Sequence, residues 1–168
     1  MKDIQRSLFF ILLVGAVSCI SAQQTISGEV RGIKVAITLE KETASITVSA
    51  PMRGWVAVGI DPTDKMKDAD FKIGYIQNGT VFVRDDFGTN PITHRPDTDI
   101  GGTSDILSFS GSETNGVTMI TFVVPRFSKD QRDKQLPSGS VRLILGASHG
   151  DSFTAKHTVV GSLTLNLP

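Results

Sequence analysis

An all-β, antiparallel, immunoglobulin-like β-sandwich of about nine to eleven strands is the fold this sequence predicts. Three observations carry the expectation. Apolar and polar residues alternate with a period of two along nearly the whole chain after residue 24. No window of a dozen residues repeats convincingly at the helical period. The alternating runs are short and are punctuated by Gly, Asn, Asp and Pro, with 16 Gly and 7 Pro in 168 residues.

The segment before that pattern stands apart. Lys2 and Arg6 form a short basic flank, residues 8–17 are almost wholly apolar, and residues 18–22 are rich in small side chains. This is the layout of a secretory signal peptide, its apolar run too short to span a bilayer comfortably. Cleavage after Ala22 opens the mature chain at Gln23, removes the only cysteine and leaves 15 basic against 16 acidic residues. Residues 23–168 then form one domain, exported to the periplasm or the extracellular space. A second route begins in the same segment. Ala16-Val17-Ser18-Cys19 loosely resembles a lipoprotein cleavage site, with Ala where Leu is usual, and would anchor the chain through a lipid on Cys19.

The strands follow in order. Residues 33–39 and 45–49 alternate cleanly, and residues 55–60 and 71–76 are apolar runs of strand length. Residues 80–84, 106–109, 117–124, 141–147 and 159–167 complete the set, rich in Val, Ile, Leu and Thr. Asn78-Gly79, Asn115-Gly116 and Ser138-Gly139 supply turn chemistry between them. Residues 128–135 are polar enough for a single helical turn and nothing longer. Residues 61–70 and 85–103 are too long and too polar for tight hairpin loops, and function on β scaffolds concentrates in such segments.

Composition and motifs exclude several function classes. Zero formal net charge, with 17 basic and 17 acidic residues and no basic cluster, argues against nucleic acid as a partner. There is no G-x-S-x-G elbow, no phosphate-binding glycine loop, and no closely spaced His or Cys pair for zinc among His94, His149 and His157. A mature chain without cysteine has neither a disulfide nor a thiolate nucleophile. No feature points to an enzyme.

Met66 is the unusual residue. It lies among Asp61, Asp64, Lys65, Lys67, Asp68 and Asp70, where an apolar thioether either folds back onto the core or serves as a soft ligand to iron. The same aspartates could instead offer hard oxygens to calcium, although the EF-hand spacing and its glycine are missing.

The order of these pieces resembles the DOMON family, the domain shared by dopamine β-monooxygenase and the cytochrome domain of cellobiose dehydrogenase. Gly54-Trp55-Val56-Ala57-Val58-Gly59-Ile60 is similar to its G-W-hydrophobic-G-hydrophobic strand. Met66-Lys67-Asp68-Ala69-Asp70 is similar to its Met-x-Gly-Ala-Asp element, with Asp68 at the glycine. Further on, Pro125-Arg126-Phe127, Leu145-Gly146-Ala147, and His157 shortly before Gly161 resemble its closing strands.

The resemblance implies one non-covalent b-type haem (no C-x-x-C-H motif is present) with Met66 and His157 as axial ligands. It also implies an apolar slot, for which Val58, Ile60, Ile73, Ile76 and Phe153 are the candidates, and electron transfer to a redox partner protein rather than catalysis. The alternative within the family is a haem-free module binding a glycan or a protein. Asp85, Asp86, Asn90, Asp97 and Asp99 are then candidates for contacting sugar hydroxyls.

Overall fold

The computed structural model describes residues 24–168; the signal-peptide segment and Cys19, with the cleavage and lipidation expected of them, lie outside the described residues. Eleven strands follow one another: β1 (Thr25–Val30), β2 (Ile33–Leu39), β3 (Thr43–Ala50), β4 (Val56–Ile60), β5 (Asp70–Gln77), β6 (Thr80–Asn90), β7 (Thr93–Pro96), β8 (Ser108–Thr114), β9 (Val117–Pro125), β10 (Gly139–Ala147) and β11 (Val159–Leu167). They make two antiparallel sheets, one ordered β1-β2-β3-β9-β8 and the other β11-β10-β4-β5-β6-β7. The predicted β-sandwich is therefore the observed fold. No helix among the described residues is long and apolar enough to cross a membrane.

Tight turns set the pairing. Arg31-Gly32, Asn78-Gly79 and Asn115-Gly116 each place two successive residues at positive φ, between 51° and 80°. That geometry matches the twist of the flanking strands, and glycine adopts it without a Cβ clash.

Three elements differ from the sequence expectation. β1 and β7 are additional strands; β7, with four residues, is too short to show a period. Residues 128–135 contain no helix. There the Ser128 hydroxyl accepts from the Asp130 N–H at 3.0 Å and the Asp130 carboxylate accepts from the Arg132 N–H at 2.8 Å, local bonds that compete with helix formation. A single 3-10 turn instead spans Asp97–Ile100.

The core lies between the sheets. Ile33, Val35 and Ile37 of β2, Ile46 and Val48 of β3, and Ile120 and Phe122 of β9 face Val56, Val58, Ile60, Leu143 and Leu145 across it. All are at most 1 % exposed, so each contributes close to its full transfer free energy, about 1.5–3 kcal/mol for a side chain of this size.

The six-stranded sheet is buried on its other face as well. Every residue of β4 is buried, and so are the first five of β5. Val58 pairs with Lys72 and Ala57 with Ile73, and partners directly across a ladder share a face. Val56, Val58, Ile60, Asp70, Lys72 and Gly74 thus point between the sheets. Ala57, Gly59, Phe71, Ile73 and Tyr75 point outward. The site is built on this outward set.

Candidate functional site

Trp55, Ala57 and Ile73 form a second buried apolar cluster on the outer face of the six-stranded sheet, with Tyr75, Phe153 and Ala155 packed against it. Two glycines let aromatic rings lie flat there. A Cβ at Gly59 would sit 2.4 Å from the Phe71 ring, and one at Gly146 would sit 3.2 Å from the Trp55 ring. Above this floor opens a cleft of about 1180 Å³.

Backbone hydrogen bonds hold one wall. The loop carrying Met66 is joined to the β6–β7 hairpin through Asp68 N–H to Gly88 O at 2.8 Å, Gly88 N–H to Ala69 O at 2.8 Å and Met66 N–H to Pro91 O at 3.3 Å. Gly88 is required for this approach, since a Cβ there would overlap the Met66 carbonyl oxygen. Asp68, at the position of the resembled glycine, has φ 61°. Aspartate is among the few residues that tolerate that region, and its carboxylate accepts the Thr63 hydroxyl at 2.6 Å.

The segment between β10 and β11 makes the other wall. Trp55 Nε1 donates to Ala155 O at 3.0 Å, the Ser148 hydroxyl donates to Lys156 O at 2.8 Å, and Thr158 N–H donates to Ala147 O at 2.8 Å. These bonds fold the segment over the sheet. Phe153 packs edge-on to Tyr75, with ring centroids 4.8 Å apart, and under the Arg84 guanidinium at 4.5 Å.

The structure therefore brings Met66, Ile73, Phe153 and His157 to one cleft. His149 does not line it. Val58, Ile60 and Ile76 do not line it either, a correction to the expected slot: Val58 and Ile60 belong to the core between the sheets, and Ile76 packs against that core. The reason is strand parity, because β4 turns Ala57, not its neighbours, to the cleft.

Sequence reading missed His94, Lys65, Arg84, Arg142 and Lys156, which also line the cleft. Only strand register reveals His94. It pairs with Gly88, and Gly88 shares a face with Arg84 and Asp86. Charge on the cleft lining is one-sided, with four Lys and Arg and no Asp or Glu among the described residues. Ile92, 78 % exposed, sits at the rim.

Behind this face, between the sheets, lies a buried ionic cluster. The Lys72 ammonium, 1 % exposed, donates to Asp70 at 2.6 Å, to Asp85, and to Asp133 at 3.0 Å. Burial opposes its charge, but the three carboxylates outweigh burial and hold Lys72 protonated well above the usual lysine range. These carboxylates are the one group of potential metal ligands among the described residues, and the ammonium already sits among them.

The calcium set read from the sequence is not assembled: Asp61 and Asp64 are exposed while Asp70 turns inward to Lys72. Nor do the expected hydroxyl-binding residues form a surface. Asp85, Asp86 and Asp97 are 3 %, 0 % and 1 % exposed, and Asn90 uses its side-chain oxygen to accept from Ile92 N–H at 2.9 Å. Asp99 remains exposed on the 3-10 turn. A carboxylate is buried only when paired or protonated: Asp85 turns inward to Lys72, Asp86 is covered on the outer face by Arg84 and His94, and Asp97 is buried without a hydrogen-bond partner, so none of the three is presented to a sugar.

Asp97 has no hydrogen-bond partner on either oxygen. Burial, then repulsion from Asp85, pushes its carboxyl up to about 8. Burial likewise lifts Asp133 to about 7 and Asp85 to about 6. A carboxyl raised in the fold keeps a proton that the unfolded chain releases near 3.8. Its stabilisation is therefore complete below that value and is lost as pH climbs through the folded value. For each group protonated in the fold and ionised in the unfolded chain, stability falls by about 1.4 kcal/mol per pH unit. Thermal melts are expected to show stability declining from about pH 5 to pH 8. Asp97→Asn should flatten that decline and raise the melting temperature at the alkaline end. A melting temperature that climbs over the same window contradicts the raised carboxyls of Asp97, Asp133 and Asp85.

The profile of the DOMON domain matches residues 31–149. No curated protein is similar enough in sequence to match the chain. Among solved structures, the fold is similar to the cytochrome b domain of pyranose dehydrogenase from Coprinopsis cinerea, with TM-score 0.59, 11 % identity, 80 % of this chain and 76 % of that one covered. It is also similar to the cytochrome domain of Myriococcum thermophilum cellobiose dehydrogenase, with TM-score 0.58, 12 % identity and coverage of 86 % and 82 %. At these identities the likeness is one of fold.

Proposed function

The chain belongs to the DOMON domain family, and on that footing we propose that the outer-face cleft binds one b-type haem between Met66 and His157 and that the domain carries single electrons. The observation that supports this most is convergence. A thioether from the β4–β5 loop and an imidazole from the segment before β11, far apart in sequence, line the same cleft.

The lining fits the group. Trp55, Ala57, Phe71 and Ile73 offer an apolar, partly aromatic floor to a flat macrocycle, and Ile92 offers an apolar edge. Lys65, Arg142 and Lys156 offer cations to its two carboxylates, and no described acidic residue on the lining repels them. When bound, haem supplies a one-electron iron couple, and a methionine ligand sets its potential above that of a bis-histidine site.

The chain's own residues do the rest. Met66 and His157 would hold iron without an open position, which favours electron transfer over oxygen activation. The second wall, tied down through Trp55 Nε1 and the Ser148 hydroxyl, keeps water off the floor. We further infer export after cleavage near Ala22, and a partner protein, not a small substrate, as the donor or acceptor of the electron.

The test is an absorption spectrum of the purified mature chain supplied with haem, oxidised and then reduced with dithionite. Sharp low-spin b-type bands and a methionine–iron charge-transfer band are expected, and Met66→Ala should remove that charge-transfer band. A folded protein that stays colourless overturns the reading.

A further inference from the structure

The cleft holds a second imidazole that none of the sequence motifs marked. His94, on β7, lines the cleft and lies against the Phe71 ring with centroids 5.4 Å apart. Its Nδ1 is 2.5 Å from Asp86 Oδ2. Asp86 is fully buried, and its carboxylate also accepts both Arg84 Nε, at 2.5 Å, and an Arg84 terminal nitrogen, at 2.6 Å. Nε2 of His94 makes no hydrogen bond to any described residue.

This is the environment a metal-binding histidine needs. A ligating imidazole characteristically donates its other ring N–H to a carboxylate, which fixes the tautomer, aims the ring and raises the basicity of the ligating nitrogen. Paired with the Arg84 guanidinium, the Asp86 carboxylate can only accept, so Nδ1 is the ring nitrogen that donates and Nε2 is the one left without a partner among the described residues. His157, by contrast, is exposed and has no such partner among the described residues.

Met66 and His94 also share a wall. The Met66 loop is hydrogen-bonded to Gly88 and Pro91 of the hairpin that carries His94. His157 enters beside β11, at the opposite edge of the sheet order from β7.

We propose that His94 is a second endogenous ligand for haem iron, which replaces Met66 opposite His157 when the thioether is absent or withdrawn, so that the site supports both a His/Met and a bis-histidine state. Arg84 and Asp86 are its positioning residues. The bis-histidine state would have the lower potential, because the methionine ligand is what raises it. This inference rests on the haem reading above.

Three proteins, each supplied with haem and followed by absorption and electron paramagnetic resonance, test it: wild type, Met66→Ala, and Met66→Ala combined with His94→Asn. Asparagine keeps a donor near the Nδ1 position for Asp86 but has no counterpart of Nε2, so the carboxylate is not left unpaired. Met66→Ala is expected to lose the methionine–iron band yet remain six-coordinate and low-spin, with the bis-imidazole signature. The double variant is expected to turn high-spin. A high-spin Met66→Ala, or a double variant with the same spectrum as Met66→Ala, overturns the role of His94 and leaves the haem reading standing. A wild-type protein that takes up no haem overturns both.

Discussion

Lys72→Met is expected to destabilise the domain by about 3–5 kcal/mol, the cost of removing one partner from a buried ion cluster. The side chain is 1 % exposed and is bonded to Asp70, Asp85 and Asp133. Methionine is one heavy atom shorter but close to lysine in volume, so the loss is chiefly electrostatic and not that of a large cavity. Without the ammonium the three carboxylates must take up protons or draw in water. Against a total stability of about 5–15 kcal/mol, this brings the variant to the margin of folding. Urea unfolding followed by circular dichroism reads it. Combining Lys72→Met with Asp85→Asn should recover part of the loss, because the pair is coupled and the effects are not additive. A Lys72→Met protein within 1 kcal/mol of wild type (about fivefold in the folding equilibrium) would mean that the cluster is not ionised in the fold.

His157→Ala is expected to release haem, with retention after gel filtration falling by more than about 100-fold, beyond the 10–100-fold typical for loss of an outer partner of a metal ligand. His149→Ala should retain haem as wild type does. The two histidines are close in sequence, yet only His157 lines the cleft. The fold should tolerate the change, since His157 is exposed and stands before β11 rather than within it. The opposite pattern, haem lost with His149 and kept without His157, would move the ligand and refute the site.

The strands were legible in the sequence because alternation follows directly from a half-buried pleat. Which face of a strand meets the core was less legible, and β5 shows why. Alternation separates Phe71, Ile73 and Tyr75 from Asp70 and Lys72 without saying which set meets the core, and it is Lys72 that points between the sheets while the apolar set points to the cleft. A sheet buried on both faces removes the polar face that would settle the question. The same ambiguity misplaced Val58 and Ile60.

Met66 was legible because a thioether among charges is out of place. Its partner came from resemblance, since His157 in a polar segment carries no local signal. That His94 and Asp86 meet could not be read from the sequence. Their meeting depends on β7, a strand of four residues, and on a bulge between Gly88 and Asn90 that resets the register of the hairpin.

The wall that carries Met66 is held by main-chain atoms: Asp68 N–H donates to Gly88 O, Gly88 N–H donates to Ala69 O, and Met66 uses its own N–H on Pro91 O. Its side chain takes no part in this attachment. Position 66 is thus a socket whose occupant can be exchanged, by drift or by design, without rebuilding what supports it. In the proposed haem site, the potential can then be retuned at that one residue while the architecture around it stays as it was.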